Sequence, residues 1–418
     1  MAKYRKTKRQ TAKQAARRQP LRKLRIELRR FWHWFTPTPA GRVIAPVLGF
    51  FWTGYLRYWR RNLFHKIFVC VVVFVFCVIG VMYGIARWYM WTQSSKPLVM
   101  GATFIPDYAK SFGLDPKETM DAILDDLQVK QLRLVSYWDK IEPNPGQGYD
   151  FSELDWEFQK AYEANAKVSL AIGLRQPRWP ECHMPDWAKD EPMDVWSVQV
   201  KAFMRAVMNR YKDNPALQSY QLENEYFLSV FGECPDFSRE RLVDEYNFAK
   251  DVDPAHPIII SRSNNAIGWP LGQPQPDLFG VSVYKRVWDI TLTKRYVEYP
   301  FPAWFYGFLG GVGKIFTGKD LIIHELQAEP WPPNGIDIVH TPLAEQSKSL
   351  DAKRLEGRFE YGKGTGLRSI DLWGAEYWYY RKKVLNDPSV WNVAKQEYQQ
   401  ARDENAELLK TGKSYLAK

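Results

Sequence analysis

The sequence predicts a (β/α)8 TIM barrel preceded by a basic N-terminal tail and a single transmembrane helix. Three observations point there. Eight β-rich runs alternate with helical patterns over roughly 290 residues, close to the usual size of such a barrel. An uninterrupted apolar run of about 20 residues precedes them, the length that crosses a bilayer core. The basic charge is confined to the first part of the chain.

The net charge of +11 would suit nucleic acid if it were spread over the fold. Instead residues 1–66 hold 18 Lys and Arg against one acid, Glu27, and the remainder sums to −6. No nucleic-acid reader fold accompanies this tail, so no nucleic-acid partner is expected. Leu21, Leu24, Leu28, Phe31 and Phe35 recur at helical spacing among arginines, which suits a helix on anionic lipid headgroups. The simpler alternative is that the charges only fix topology. Val43–Leu56 is too short to span and contains Pro46, so an interfacial or buried element is expected there.

Ile67–Ala86 (IFVCVVVFVFCVIGVMYGIA) is the expected transmembrane helix, domain 67–86. Arg57, Arg60, Arg61 and Lys66 precede it and Trp88, Tyr89 and Trp91 follow, placing the N-terminus in the cytoplasm and the bulk of the chain outside. A cleaved signal peptide would have a shorter apolar core and an A-x-A-like site, and neither is present. The expected location is therefore a cell membrane, single-pass, with an extracytoplasmic domain.

A short linker, residues 87–97, leads to the barrel at 98–385, and a helix at 386–418 completes or flanks it. Strands are expected near 99–104, 131–137, 167–173, 218–224, 256–261, 278–283, 320–325 and 368–373. Helical patterns separate most of them: Pro116–Val129, Phe151–Asn165, Val195–Tyr211, Arg239–Val252 and Leu343–Tyr361. Between strands five and six, SNNAIGWPLGQPQP offers only a short crossover. A doubly wound open sheet is the alternative, weakened because GATFIPDYA after strand one has no Gly-rich phosphate loop. Tyr299–Phe316 is unusually apolar and reads as helix six with a lid-like approach; a membrane-dipping insert is disfavoured because the anchor would meet the barrel from the opposite face.

Barrel active sites form where strands end. Strand four ends LENEY and strand seven ends LIIHELQAEPW, so carboxylates from two strands face a common mouth. One carboxyl held neutral and one ionised is the division of labour that a glycosidic bond requires.

Asn224-Glu225 and Glu325, with YWDKIEPNPGQGYDFSELD after strand two and DLWGAEYWY at strand eight, resemble the clan A (4/7 superfamily) retaining glycoside hydrolases. QLENEY is especially similar to the acid/base segment of retaining β-galactosidases. The resemblance covers about residues 98–385 and no particular subfamily. It implies Glu225 as acid/base, Glu325 as nucleophile and Asn224 on the sugar 2-hydroxyl. It implies Arg133 as the cation keeping the nucleophile ionised, Tyr284 as its hydrogen-bond donor, and Trp373 as the aromatic floor under the reacting sugar. Ser282 departs from the pattern, where many members carry histidine.

Each residue has a plainer reading. Glu223 is the better candidate for a salt-bridged structural carboxylate; Glu329 competes with Glu325; Arg133 could pair with a structural acid, and Tyr284 and Trp373 could be core aromatics. Trp138 and Trp331, with Trp179, Trp187 and Tyr377, lie near loops of the strand-end face, where several together would make a sugar-binding cleft. Glu376 could reach a hydroxyl or nothing. Alternation turns His324 away from the barrel axis. The six histidines lack paired metal-binding spacing, so no metal or cofactor is expected. Cys182 and Cys234 follow adjacent strands and are candidates for a disulfide outside the cytoplasm, with two free thiols as the alternative; Cys70 and Cys77 lie in the apolar run. The expected partner is a glycan, cleaved or transferred by double displacement; a silent barrel that only binds carbohydrate is the alternative.

Overall fold

The computed structural model describes residues 63–263, 272 and 274–412. The tail segments at 21–35 and 43–56, and most of the crossover SNNAIGWPLGQPQP, lie outside the described residues. The chain divides into two units, Met1–Gly80 and Val81–Lys418. In the first, the described residues form the opening part of helix α1 (Leu63–Gln93), whose 31 residues are long and apolar enough to cross a membrane. No charge interrupts α1 between Lys66 and Arg87, and an α-helix satisfies its own backbone groups without water. Beyond it, the Thr92 and Ser94 hydroxyls donate back to the carbonyls of Tyr89 and Trp91, both at 2.7 Å, and Pro97 prevents continuation.

The second unit is a closed barrel of eight parallel strands. These are β1 (Val99–Thr103), β2 (Gln131–Val135), β3 (Lys167–Ile172), β4 (Leu217–Leu222), β5 (Ile258–Ser263), β6 (Leu278–Val283), β7 (Asp320–Gln327) and β8 (Ser369–Trp373). Each pairs with its neighbours in sequence, and β1 closes on β8 through Val99–Ser369 and Met100–Ile370. The longer outer helices are α2 (Ser152–Glu163), α3 (Met193–Tyr211), α4 (Arg239–Val252), α5 (Trp304–Thr317), α6 (Ala352–Gly364) and α7 (Ser389–Thr411). Leu343–Tyr361 is not one helix. It breaks after Gln346, and the Asp351 carboxylate caps α6 by accepting from the Arg354 N–H. Pro116–Val129 is likewise shorter than its pattern, an α-turn segment to Asp121 followed by a π-helical turn to Asp126.

Strand β7 departs from simple alternation, and His324 is the correction that follows. Val281 pairs with Ile323 but Ser282 pairs with Glu325, so β7 carries one extra residue opposite β6. The bulge lets both His324 and Glu325 point inward. His324 Nε2 lies 3.2 Å from Ser169 Oγ on β3 and 3.5 Å from Asp371 on β8. Complete burial, then the charge of Arg133, push its pKa well below the usual histidine range, so it sits there neutral.

Under the mouth the barrel is filled by a polar layer that leaves no spare volume. A Cβ on Gly101 of β1 would fall 2.2 Å from Asp371 Oδ1 and 2.9 Å from the Gln131 carbonyl. The Asp371 carboxyl takes that space and accepts from Gln131 Nε2 at 2.8 Å. Replacing Gly101→Ala therefore overpacks the interior, and we expect a loss of about 1–3 kcal/mol. A thermal melt should show a midpoint lowered by at least about 2 °C with unchanged far-ultraviolet dichroism.

Candidate active site

The cleft opens at the C-terminal ends of the strands and has a volume of about 900 Å³. Asn224, Glu225, Tyr284, Glu325, Trp331 and Trp373 line it together with Tyr108, Arg178, Trp179, Glu181 and Glu329.

Two left-handed residues shape the end of β4: Glu223 at φ 54° and Glu225 at φ 44°. This breaks strand alternation and lets successive side chains take separate tasks. Glu223 accepts from the Leu174 N–H at 2.6 Å and the Arg175 N–H at 3.1 Å, and pairs with Arg241 of α4 at 3.3 Å. It is a brace between the β3 loop and α4. Gly173, at φ 98°, has to be glycine, since a Cβ there would lie 2.4 Å from the Glu223 carboxylate.

Arg133 organises the centre. It is wholly buried, and its Nη1 donates to Glu325 Oε1 at 2.6 Å, its Nη2 to Asn224 Oδ1 at 2.9 Å, and its Nε to Gln221 Oε1 at 2.7 Å. The Tyr284 hydroxyl donates to Glu325 Oε2 at 2.7 Å, so both Glu325 carboxylate oxygens accept from a donor. Asn224 is oriented without ambiguity. Its Oδ1 faces two donors, Arg133 and Gln221 Nε2 at 3.0 Å, which leaves Nδ2 to donate to Glu181 Oε2 at 3.0 Å.

Glu225 is held differently. Its N–H donates to Ser261 Oγ at 3.1 Å, and its Oε1 has no hydrogen-bond partner among the described residues. Burial, then the Glu325 charge, raise its pKa to about 7, against the smaller opposing effect of the Ser282 and Ser263 hydroxyls.

Glu181, Arg178 and Arg175 were not singled out from the sequence. Glu181 is buried, with its pKa raised to about 8 by burial; Arg175 opposes this, and Glu225 and Glu325 add to it. A neutral Glu181 avoids adding a third negative charge beside them. Its neighbour Cys182 is disulfide-bonded to Cys234, joining the loops after β3 and β4. Arg175 Nε donates to the Asn224 carbonyl at 2.6 Å across the same junction. The available signal was WPECHMP itself, where a carboxylate adjoins a cysteine of the cleft loop.

Several aromatic expectations change. Trp138 does not line the cleft: it is fully buried, donates to Glu142 at 2.8 Å, and packs against Trp187 and Phe203. Tyr377 is also core, its hydroxyl bonded to Gln346. Trp331 stands at the cleft, edge-on to Tyr284. Trp373 lines the cleft too, but the Arg178 guanidinium covers a face of its ring at 4.0 Å and stacks on Tyr108 at 3.2 Å. Glu329 holds that guanidinium through two bonds, 2.7 and 3.0 Å, and is thereby a paired carboxylate. Glu376 accepts the Ile105 N–H at 2.8 Å. Among the described residues no group of three or more His, Cys, Asp or Glu is placed to hold a metal ion.

No family model matches the sequence. Among solved structures, the chain is similar to the polyextremophilic beta-galactosidase of the Antarctic haloarchaeon Halorubrum lacusprofundi. The two are 12% identical with a TM-score of 0.50, over 72% of this chain and 58% of that one. It is similar also to GH5_18 from Streptomyces cattleya, solved in complex with GlcNAc, at 12% identity and a TM-score of 0.50, over 73% of this chain and 80% of that one. The chain thus spans little more than half of the first of these proteins. At this identity the likeness is one of fold: the chain shares its closed eight-stranded parallel barrel with the clan A glycoside hydrolases.

Proposed function

We propose that the chain is a membrane-anchored retaining glycoside hydrolase, or transglycosidase, acting on an extracellular or cell-envelope glycan. The observation that carries this reading is the asymmetry of two carboxyls in one cleft. Glu325 is clamped by a guanidinium at 2.6 Å and a phenol at 2.7 Å, while burial beside it raises Glu225 to about 7.

In the first step Glu325 attacks the anomeric carbon as Glu225 gives its proton to the departing oxygen; the glycosidic C–O bond breaks and a glycosyl ester forms. Esterification removes the Glu325 charge that helped hold the Glu225 proton, so Glu225 becomes more acidic. In the second step it takes the proton of a water or an acceptor hydroxyl, which displaces Glu325 from the sugar. Asn224 has a second Nδ2 proton for the 2-hydroxyl, and Trp331 supplies an apolar wall. The anchor is α1, with the basic residues before it on the cytoplasmic side and the tail against anionic headgroups.

A 2-deoxy-2-fluoro glycoside panel should label Glu325, detected as a mass increase on its peptide. Sugar binding across the panel without any adduct would favour the carbohydrate-binding alternative. Glu225→Ala should lower turnover of poor leaving groups by about 10²–10⁴-fold, with added azide restoring an activated aryl glycoside. The raised Glu225 pKa sets the pH dependence. The donor is lost as pH rises through about 7, so kcat/KM should fall on the alkaline side from there.

A further inference from the structure

We propose that α5 is a second membrane-contacting element, its exposed stripe lying against lipid. This inference rests on the membrane-anchored reading of α1 given above.

The helix carries one charge, Lys314, in its 14 residues, WFYGFLGGVGKIFT. Its two faces are sorted by size. Gly307, Gly310 and Gly311 recur at i, i+3, i+4 and are buried against the last turns of α1. A Cβ on Gly310 would lie 2.5 Å from the Tyr89 ring, and one on Gly311 2.6 Å from Ile85. Backbone-to-side-chain approach of this kind is how helices associate where apolar surroundings offer no hydrophobic drive. Trp304 meets Tyr83 edge-on with ring centres 5.5 Å apart.

Phe308, Val312, Ile315 and Phe316 form the opposite stripe, at i, i+4, i+7 and i+8. Phe316 is 74% exposed and Ile315 53%. Exposed Ile315 and Phe316, beside half-buried Phe308 and Val312 on an almost uncharged helix, call for an apolar occupant. The lipid commits itself by depth. Ile67–Ala86 fills the roughly 30 Å hydrocarbon of a bilayer. Tyr83 and Ile85, which touch α5, fall in the last turn of that run, and Trp88 and Trp91 follow at headgroup level. The stripe on α5 is therefore placed at the level of that last turn, at the boundary between acyl chains and headgroups.

The joint also includes polar bonds at the foot of the barrel. The Tyr89 hydroxyl donates to Asp320 at 3.3 Å and accepts from the Leu321 N–H at 3.2 Å, while Gln93 donates to Asp320 at 3.1 Å. Asp320 opens β7. Met90 packs where a Cβ on Gly366, just before β8, would stand, at 2.4 Å. Both contacts lie at the N-terminal ends of strands. The cleft lies at the opposite, C-terminal ends.

A photocrosslinking experiment on the full chain in phosphatidylcholine–phosphatidylglycerol vesicles tests this. Phe316→benzoylphenylalanine should give a lipid adduct on irradiation, as should Phe74→benzoylphenylalanine in α1. Val198→benzoylphenylalanine on α3 should give none. Lipid adducts at 74 but not at 316 would overturn the inference and leave the anchor standing. Adducts at neither position would overturn both. A chain-to-chain product at 316 would overturn it in favour of a second copy covering the face. Each position is exposed, at 74%, 68% and 61%, so folding is not at stake in the outcome.

Discussion

The buried guanidinium of Arg133 is the constraint on which the site depends. A carboxylate taken out of water beneath a barrel mouth carries a penalty of several kcal/mol, and losing the partner of a buried pair costs about 3–5 kcal/mol. Arg133 offsets that penalty for Glu325 and spends its remaining donors on Gln221 and Asn224. One side chain from β2 therefore sets the positions of groups on β4 and β7. Gln221 extends the network to Ser261 on β5, whose hydroxyl oxygen receives the Glu225 N–H. The two glutamates are thus positioned by a single connected set of hydrogen bonds, and every member of it is buried, where such bonds are strongest.

Around this centre the protein separates charge by neighbourhood. Carboxyls with a cation close by, Glu223 with Arg241 and Glu329 with Arg178, are paired braces. Among the described residues Glu225 has no paired cation and Glu181 has Arg175 at 3.5 Å, and burial pushes both upward. The Arg178 guanidinium also changes the shape of the cleft: sandwiched between Tyr108 and Trp373, it replaces an open indole platform with a cation already engaged by Glu329. Anything approaching that face of Trp373 meets the cation. This is a feature of the chain's own loops, and loops are where one barrel differs from another in what it accepts.

The opposite end of the barrel has a different physical character. Tyr89, Gln93, Lys96 and Lys314 converge on Asp320, a polar knot at the foot of β7. Beside it the glycine face of α5 accepts the last turns of α1. Apolar close packing and a charged clasp together make this end rigid, while the strand-end face keeps the open volume. Packing and ion pairs thus gather at one end of the barrel and the cleft opens at the other.

The sequence alone determined the alternation of strands and helices, because apolar periodicity and breaker residues are local properties. It determined the apolar span, because length and absence of charge are local too, and the ends of strands four and seven pointed to Glu225 and Glu325, while Arg133 and Tyr284 came only from the family resemblance. Tertiary structure decided what local pattern could not. The extra residue in β7 turned His324 inward, Trp138 sank into the packing of Trp187 and Phe203, and Arg178 folded over Trp373. Glu181 acquired its place only because the Cys182–Cys234 loop junction brings it to Asn224. Bulges, stacking partners and cross-strand hydrogen bonds join residues distant in the chain, and their energies exist only once the barrel has closed.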